Sequence, residues 1–220
     1  MKISIITTTF NSAATIRDTL ECISRQDYDD VEHIIVDGGS TDDTLAIVRE
    51  FPHVQKIISE RDEGIYDAMN KGIAASTGDV IGILNSDDIY ADRQVLSLIA
   101  ATFGQAGTMA CYADLQFVQR DNLEKIVRTW KAGSYTRRSF YYGWMPPHPT
   151  FFVRKAIYKE VGSFNTALGS AADYEFMLRV LLKHSVSAVY INRIIVKMRA
   201  GGISTASMKN RWHANKQDQR

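Results

Sequence analysis

The stretch Gly78-Asp79-Val80-Ile81-Gly82-Ile83-Leu84-Asn85-Ser86-Asp87-Asp88 decides the fold. Residues 80–84 are a short unbroken apolar run, the pattern of a strand covered on both faces. The run stops abruptly on polar groups and ends in two adjacent carboxylates. In open α/β sheets, ligands bind beyond the carboxyl ends of the strands. An apolar strand that delivers Asp87 and Asp88 to such an end is the first sign of a binding edge.

Working outward, the first half alternates strand and helix patterns. Residues 2–8 are rich in β-branched side chains and read as a strand. Asn11 or Ser12 caps a helix over residues 14–25, with Ile16, Leu20 and Ile23 on one face. Residues 31–37 form a second strand around Ile34-Ile35-Val36. Ser40 followed by Asp43 resembles a capping box, and its helix runs to about Phe51. A third strand covers residues 55–59, a helix covers 65–75, and another helix, 93–103, follows the decisive strand. This order predicts a parallel sheet covered by helices. The second half differs. Residues 109–117 and 125–131 read as strands with no helix between them, and 143–149 is a loop that holds Pro146, Pro147 and Pro149. Helices are expected at 155–161 and 173–184, the latter with Phe176, Leu178, Val180 and Leu181 facing the core. A strand covers 189–198, and residues 206–220 form a polar, basic tail.

The 220 residues fit one domain, expected over 1–205, with a nucleotide-binding half near 1–105 and an acceptor half near 106–205. Apolar residues make up 45% and charged residues 23%, and net charge is +1, so nothing global marks a nucleic-acid binder. Cys22 and Cys111 lie in no Cys-x-x-Cys pair, which argues against zinc and suits a reducing compartment. The N-terminal apolar run is too short for a signal peptide, and no stretch reaches the roughly 20 apolar residues of a membrane span. A soluble, cytoplasmic protein is expected. Its basic run at 209–220 is compatible with peripheral contact at the inner face of the membrane.

The residues after each strand converge on one edge. Thr8, Thr9, Phe10 and Asn11 follow the first strand; Asp37, Gly38, Gly39 and Ser40 the second; Glu60, Arg61, Asp62 and Glu63 the third; Asn85 to Asp88 the fourth. No Gly-x-Gly-x-x-Gly and no Gly-x-x-x-x-Gly-Lys-Ser/Thr loop is present, so a bound nucleotide would need another means of neutralising its phosphates. A divalent cation on Asp87-Asp88 supplies one, and hard carboxylate oxygens suit Mg²⁺ or Mn²⁺.

Read together, four stretches resemble the inverting GT-A glycosyltransferases of family 2. They are residues 4–11, 35–42, 78–88 and 172–179, and the resemblance extends over about residues 2–200. Asp62-Glu63-Gly64-Ile65-Tyr66-Asp67-Ala68-Met69-Asn70-Lys71-Gly72 is similar to the subgroup that builds bacterial exopolysaccharide, capsule or O-antigen repeats. The resemblance implies a Rossmann-like three-layer α/β/α domain that binds a nucleotide-diphospho-sugar. It implies that Thr8 and Phe10 line the base pocket and that Asp37 accepts a hydrogen bond from the base. It also puts Asp67 and Lys71 near base and diphosphate, Asp87 at ribose or sugar, and Asp88 on Mn²⁺ or Mg²⁺. Asp173 matches the catalytic base. Where many relatives have Glu-Asp, this chain has Ala172-Asp173, and Asn85 stands where some carry an acid. Glu175 is a fallback base, and Arg179 a candidate phosphate contact.

The implied reaction is a single in-line displacement that inverts the anomeric carbon, with Asp173 taking the proton of an acceptor hydroxyl. The acceptor would be a saccharide or lipid-linked saccharide. His148, held among prolines, and Tyr174 are candidates for the acceptor or donor pocket. Tyr66 and Trp144 are candidates for sugar stacking, and His213 for reaching the metal from the tail. The alternatives are a sugar nucleotidyltransferase, whose Gly-rich, basic first turn is missing here, and a non-catalytic nucleotide-sugar binder. UDP is the default donor nucleotide, with GDP as the alternative; the sugar and the oligomeric state are not written in the sequence.

Overall fold

The apolar run at the decisive stretch forms β4 (Val80–Ile83), buried along its whole length near the middle of a mixed sheet. The computed structural model describes residues 1–201. In chain order the elements are β1 (Ile3–Thr9), α1 (Ile16–Ser24), β2 (Val31–Asp37), α2 (Thr44–Arg49), β3 (Val54–Ser59), α3 (Ile65–Ala75) and β4. Then come β5 (Ile89–Tyr90), α4 (Val95–Phe103), β6 (Ala110–Gln119), β7 (Asn122–Trp130), β8 (Phe152–Arg154), α5 (Lys155–Val161), α6 (Ala172–Leu178) and β9 (Ala188–Arg199). The sheet order is β3-β2-β1-β4-β8-β6-β9-β5, and β7 pairs with β6. β1 to β4 are mutually parallel, as the strand–helix alternation predicts; β8 runs antiparallel to both β4 and β6. One sheet therefore runs through both halves of the chain, which makes them a single mixed α/β domain.

Alternation along β1 divides the core. Ile3 and Ile5 pack with Val80 against Val95, Leu96, Ile99 and Phe103 of α4. Ile6 turns the other way, with Ile34, Val36, Ile81 and Ile83, onto Ala68, Met69 and Ile73 of α3. Each such side chain contributes about 1.5–3 kcal/mol by leaving water. Gly82 explains how β8 enters beside β4. A Cβ there would lie 2.3 Å from Cε1 of Phe152, a ring with no exposed surface, so only glycine lets the two strands close.

Several local expectations are corrected. Thr15 rather than Asn11 or Ser12 precedes α1. The capping box at Ser40 does not form, because the Ser40 hydroxyl is drawn to Asp37 instead (2.5 Å). Strands β5 and β8 are too short to leave a periodic signal. α6 begins one residue before Asp173 and passes at Arg179–Lys183 into a π-helical turn. Asp173 thus lies inside the first turn. Both cysteines are reduced; burial pushes the Cys22 thiol up to about 12 and raises that of Cys111 further, so neither is a nucleophile. Among the described residues no helix is long and apolar enough to cross a membrane. His213 and the basic tail lie outside the described residues.

The fully buried His33, paired with the half-buried His53, is expected to make the sheet acid-sensitive. His33 has no exposed surface; its Nε2 lies 3.0 Å from Thr7 Oγ1 and its Nδ1 3.1 Å from His53 Nε2. Burial, with His53 adding to it, holds the His33 imidazole down at about 3. The unfolded chain binds that proton near pH 6.5 and the folded chain does not. His33 therefore contributes stability that is complete above about pH 6.5 and falls by about 1.4 kcal/mol per pH unit as the pH drops toward 3. Thermal melts between pH 7 and 4 should show this slope, and His33→Gln should flatten it. Equal slopes in the two proteins would remove His33 as the cause.

Candidate active site

The first strands end level with one another. In register, Thr9 of β1 is opposite Asp37 of β2, and Asp37 is opposite Ser59 of β3. The loops beyond them are tied together through Asn11, whose φ of 48° is a left-handed conformation that asparagine tolerates. Its amide N–H donates to Ser40 Oγ (2.8 Å), and its Oδ1 accepts from Thr41 N (2.9 Å).

Asp37 is the hub of this edge. Its Oδ1 accepts from the Ser40 hydroxyl (2.5 Å), and its Oδ2 from Ser59 Oγ (2.8 Å), Ser40 N (3.1 Å) and Gly39 N (3.2 Å). It has no exposed surface, so it builds the turn and offers no face to a base. The acid that does reach the edge is Asp62. A Cβ on Gly38 would lie 2.5 Å from Asp62 Oδ2 and 3.5 Å from Cδ2 of Phe10. The missing side chain at Gly38 is what lets this carboxylate lie beside the Phe10 ring, which is 62% exposed at the end of β1. Asp62 Oδ1 is steadied by Gly64 N (2.9 Å). Phe10, Gly38 and Asp62 form an open ledge with an aromatic face and an acceptor edge.

Lys71 stands behind this ledge. It pairs with Glu60 (2.9 Å) and Asp67 (3.2 Å) and donates to Arg61 O (3.1 Å), so it clamps the β3–α3 loop. The Glu60 contact, followed by Asp67, raises its pKa. Asp67 also accepts from Glu63 N (3.1 Å).

At the end of β4, Thr8 donates to Asn85 Oδ1 (3.2 Å), joining the first and fourth strand ends. Asp87 is half-buried. Asp88 has no exposed surface, and neither of its carboxylate oxygens has a hydrogen-bond partner among the described residues. Burial, and then the neighbouring Asp87, push its pKa well above the ordinary carboxylate range; Arg199 opposes them. An orphaned buried carboxylate is a group that a cation would satisfy. Among the described residues no cluster of three or more acidic, histidine or cysteine side chains could hold a metal. The unpartnered Asp88 oxygens, with Asp87 next in the chain, are the hard oxygen donors that an ion of the Mg²⁺ or Mn²⁺ kind favours.

Arg199, at the end of β9, fixes this loop. It is 4% exposed; Nη1 donates to Asp87 O (2.7 Å), Nε to Arg120 O (3.0 Å) and Nη2 to Asp18. Nothing in the sequence marks it.

A cavity of about 290 Å³ opens beside Asn85. Gly64, Tyr66 and Asp67 of the α3 end line one side; His148, Ser170 and Asp173 line another. Asn70 holds the two sides together, with Nδ2 donating to Phe164 O (2.9 Å) and Oδ1 accepting from Phe164 N (3.0 Å). The Phe164 ring packs edge-on to His148 (5.6 Å) and against Tyr66 (5.5 Å). Burial lowers the His148 pKa, and the nearby Asp173 carboxylate pulls it back up. Ala172 is fully buried, so the position before Asp173 faces the core and not the cavity.

Other expected pocket residues are placed elsewhere. Glu175 makes a two-pronged ion pair with Arg179 (2.8 and 2.9 Å), and Arg179 also donates to Val161 O and Ser163 O, so both are committed to holding α6 in place. Tyr174 donates to Phe140 O (3.3 Å) and packs on the core. Trp144 donates to Ala132 O (2.8 Å) and stacks on Tyr135. None of these side chains lines the cavity.

Comparison with known proteins agrees with this architecture. The profile described as Glycosyl transferase family 2 matches residues 4–162. A "PGL/p-HBAD biosynthesis glycosyltransferase" of Mycobacterium tuberculosis is 29% identical over 206 residues, covering 91% of this chain and 78% of that protein. An uncharacterized glycosyltransferase of the same species is 32% identical over 183 residues, covering 82% of this chain and 69% of that one. Among solved structures, S. aureus TarS 1-349 in complex with UDP-GlcNAc superposes with a TM-score of 0.73 at 20% identity, over 94% of this chain and 61% of that one. Mannosyltransferase PcManGT from Pyrobaculum calidifontis, in complex with GDP-Man and Mn²⁺, superposes with a TM-score of 0.69 at 18% identity. It matches over 94% of this chain and 59% of its own, so this chain spans less than two thirds of either solved chain. With a family profile that covers most of its length and named glycosyltransferases among its relatives, the chain belongs to glycosyl transferase family 2 and has the GT-A fold.

Proposed function

We propose that the chain transfers a sugar, with inversion, from a nucleotide-diphospho-sugar to a hydroxyl of a saccharide or lipid-linked saccharide. The observation that carries this reading is one cavity lined both by Asn85, from the loop that bears Asp87 and Asp88, and by Asp173, from the first turn of α6. The base stacks on Phe10, and its N–H groups meet Asp62, while Asp37 keeps the turn in shape. Asp173 removes the proton of the acceptor hydroxyl as that oxygen bonds to the anomeric carbon and the bond to the diphosphate breaks. His148, whose protonation burial disfavours, lines the same cavity beside Asp173. Mn²⁺ or Mg²⁺, held by Asp88 with Asp87, would offset the negative charge that grows on the leaving diphosphate. The names of TarS and PcManGT support both UDP and GDP donors within this fold, and Asp62 can accept from either base.

Titration calorimetry with UDP and with GDP, each with and without Mn²⁺, tests the donor site. One nucleotide should bind in a metal-dependent way, and Asp88→Ala should abolish the metal dependence. Phe10→Ala and Asp62→Ala should each weaken that nucleotide by about 1–2 kcal/mol, through lost stacking and a lost hydrogen bond. If neither nucleotide binds the folded protein under any condition, the donor site is misassigned.

A further inference from the structure

Residues 125–159 hold eight lysines and arginines and no aspartate or glutamate, in a chain whose net charge is only +1. Within that stretch lies a tight helical turn, Arg137–Tyr142. Thr136 N donates to Ser139 Oγ (3.1 Å) at its start. Gly143, at a φ of 75°, closes it and donates its N–H to Phe140 O (3.0 Å). Phe140 anchors the turn: its ring is buried edge-on to Tyr135 (5.6 Å) and Trp144 (5.1 Å). Arg137 ties the turn to Leu182 O (3.0 Å).

The two residues after Phe140 go the other way. Tyr141 is 80% exposed and Tyr142 is 88% exposed, more than any other large apolar side chain among the described residues. A turn that is fixed at both ends and by its central ring thus holds two aromatic rings out in water, which is unfavourable unless something covers them. Lys131 and Arg138 are exposed too and make no hydrogen bond or ion pair among the described residues.

Charge and area decide what fits. Residues 202–220 carry Lys209, Arg211, Lys216 and Arg220 against Asp218 alone, so like charge keeps them from this surface. A second copy brings the same positive face, and two tyrosines fall far short of the roughly 800 Å² that a stable interface takes from each partner. An anionic bilayer suits both features. Tyrosine rings, with an apolar body and a polar tip, settle at headgroup level, and nearby lysines and arginines are drawn to anionic headgroups.

The geometry points to the Arg137–Tyr142 turn as a docking surface for an anionic lipid bilayer. Tyr141 and Tyr142 enter the headgroup layer, and Lys131, Arg137 and Arg138 meet its phosphates. This surface goes beyond the transferase site and does not depend on it.

Cosedimentation of the full chain with vesicles tests it, using phosphatidylcholine alone and phosphatidylcholine with about one third phosphatidylglycerol. The wild type should bind the anionic vesicles, bind the neutral ones far more weakly, and be released by high salt. The double variant Tyr141→Ser with Tyr142→Ser should lose about tenfold on anionic vesicles. Lys131→Gln with Arg138→Gln should lose about 5- to 25-fold. Dextran sulfate, a polyanion without an apolar layer, should bind the wild type and the tyrosine variant equally. Four exposed side chains are changed, so both variants should keep the wild-type Tm and nucleotide affinity, which separates this surface from the donor site. A wild type that ignores anionic vesicles overturns the proposal. So does a tyrosine variant that binds them as the wild type does, which would assign the attraction to other basic residues. A tyrosine variant that loses dextran sulfate as much as vesicles also overturns it, by making the turn a site for soluble polyanions.

Discussion

Replacing Asp173 by asparagine is expected to slow sugar transfer by about 100- to 10,000-fold while leaving nucleotide binding within about twofold. Asparagine keeps the shape of the side chain and can still accept the bond that Tyr174 N makes to Asp173 Oδ1 (2.7 Å), so the first turn of α6 should stay intact. What it loses is the capacity to take a proton. The parallel change Glu175→Gln should affect turnover only a few-fold, because Glu175 is turned to Arg179 and lies off the cavity wall. Steady-state rates with donor and acceptor, together with nucleotide calorimetry on the same preparations, separate the two cases. An Asp173→Asn enzyme that keeps more than a tenth of wild-type turnover would mean that another group removes the proton. His148→Gln is the natural next variant, because it lies beside Asp173 in the same cavity.

The second large effect should come from Arg199. Arg199→Met removes the donor to Asp87 O and to Arg120 O and the partner of Asp18, and it leaves the Asp88 carboxylate buried with its nearest cation gone. Breaking a buried charged network by deleting one member costs about 3–5 kcal/mol. Asp18 is 46% exposed and can be rehydrated, so the lower end, about 3 kcal/mol, is expected. For a chain of this size that is a fall of about 6–12 °C in Tm. Arg199→Lys keeps the charge but lacks the fork that reaches all three partners, and should fall between the two. Because the Asp87-Asp88 loop is released, metal-dependent nucleotide binding should weaken in the methionine variant even at temperatures where it is folded. A methionine variant with an unchanged Tm would show that the loop holds itself.

These effects arise at positions where local signals and tertiary placement diverge. Asp37 and Asp62 both follow strands in the same acidic pattern, yet one is sealed by Ser40 and Ser59 and the other lies in the gap that Gly38 leaves. Asp173 and Glu175 share the first turn of α6, but only Asp173 reaches the cavity, because a helix turns residues two apart to different sides.

The sequence by itself determined the parallel half of the sheet, the helices that cover it, and the convergence of polar groups at one edge. Those features follow from short-range periodicity and from strand ends, which neighbouring residues encode. It also determined the family, through motifs whose order along the chain is as informative as their content. Tertiary structure alone decided which carboxylates line the cavity and which are sealed, which cations are already paired, and what fixes the acidic loop. The bonds of Arg199 to Asp18 and to Asp87 O join residues 181 and 112 positions apart. No window of sequence contains both ends of such a bond. Burial, charge pairing and cavity walls appear only once the sheet has closed and brought those distant residues together.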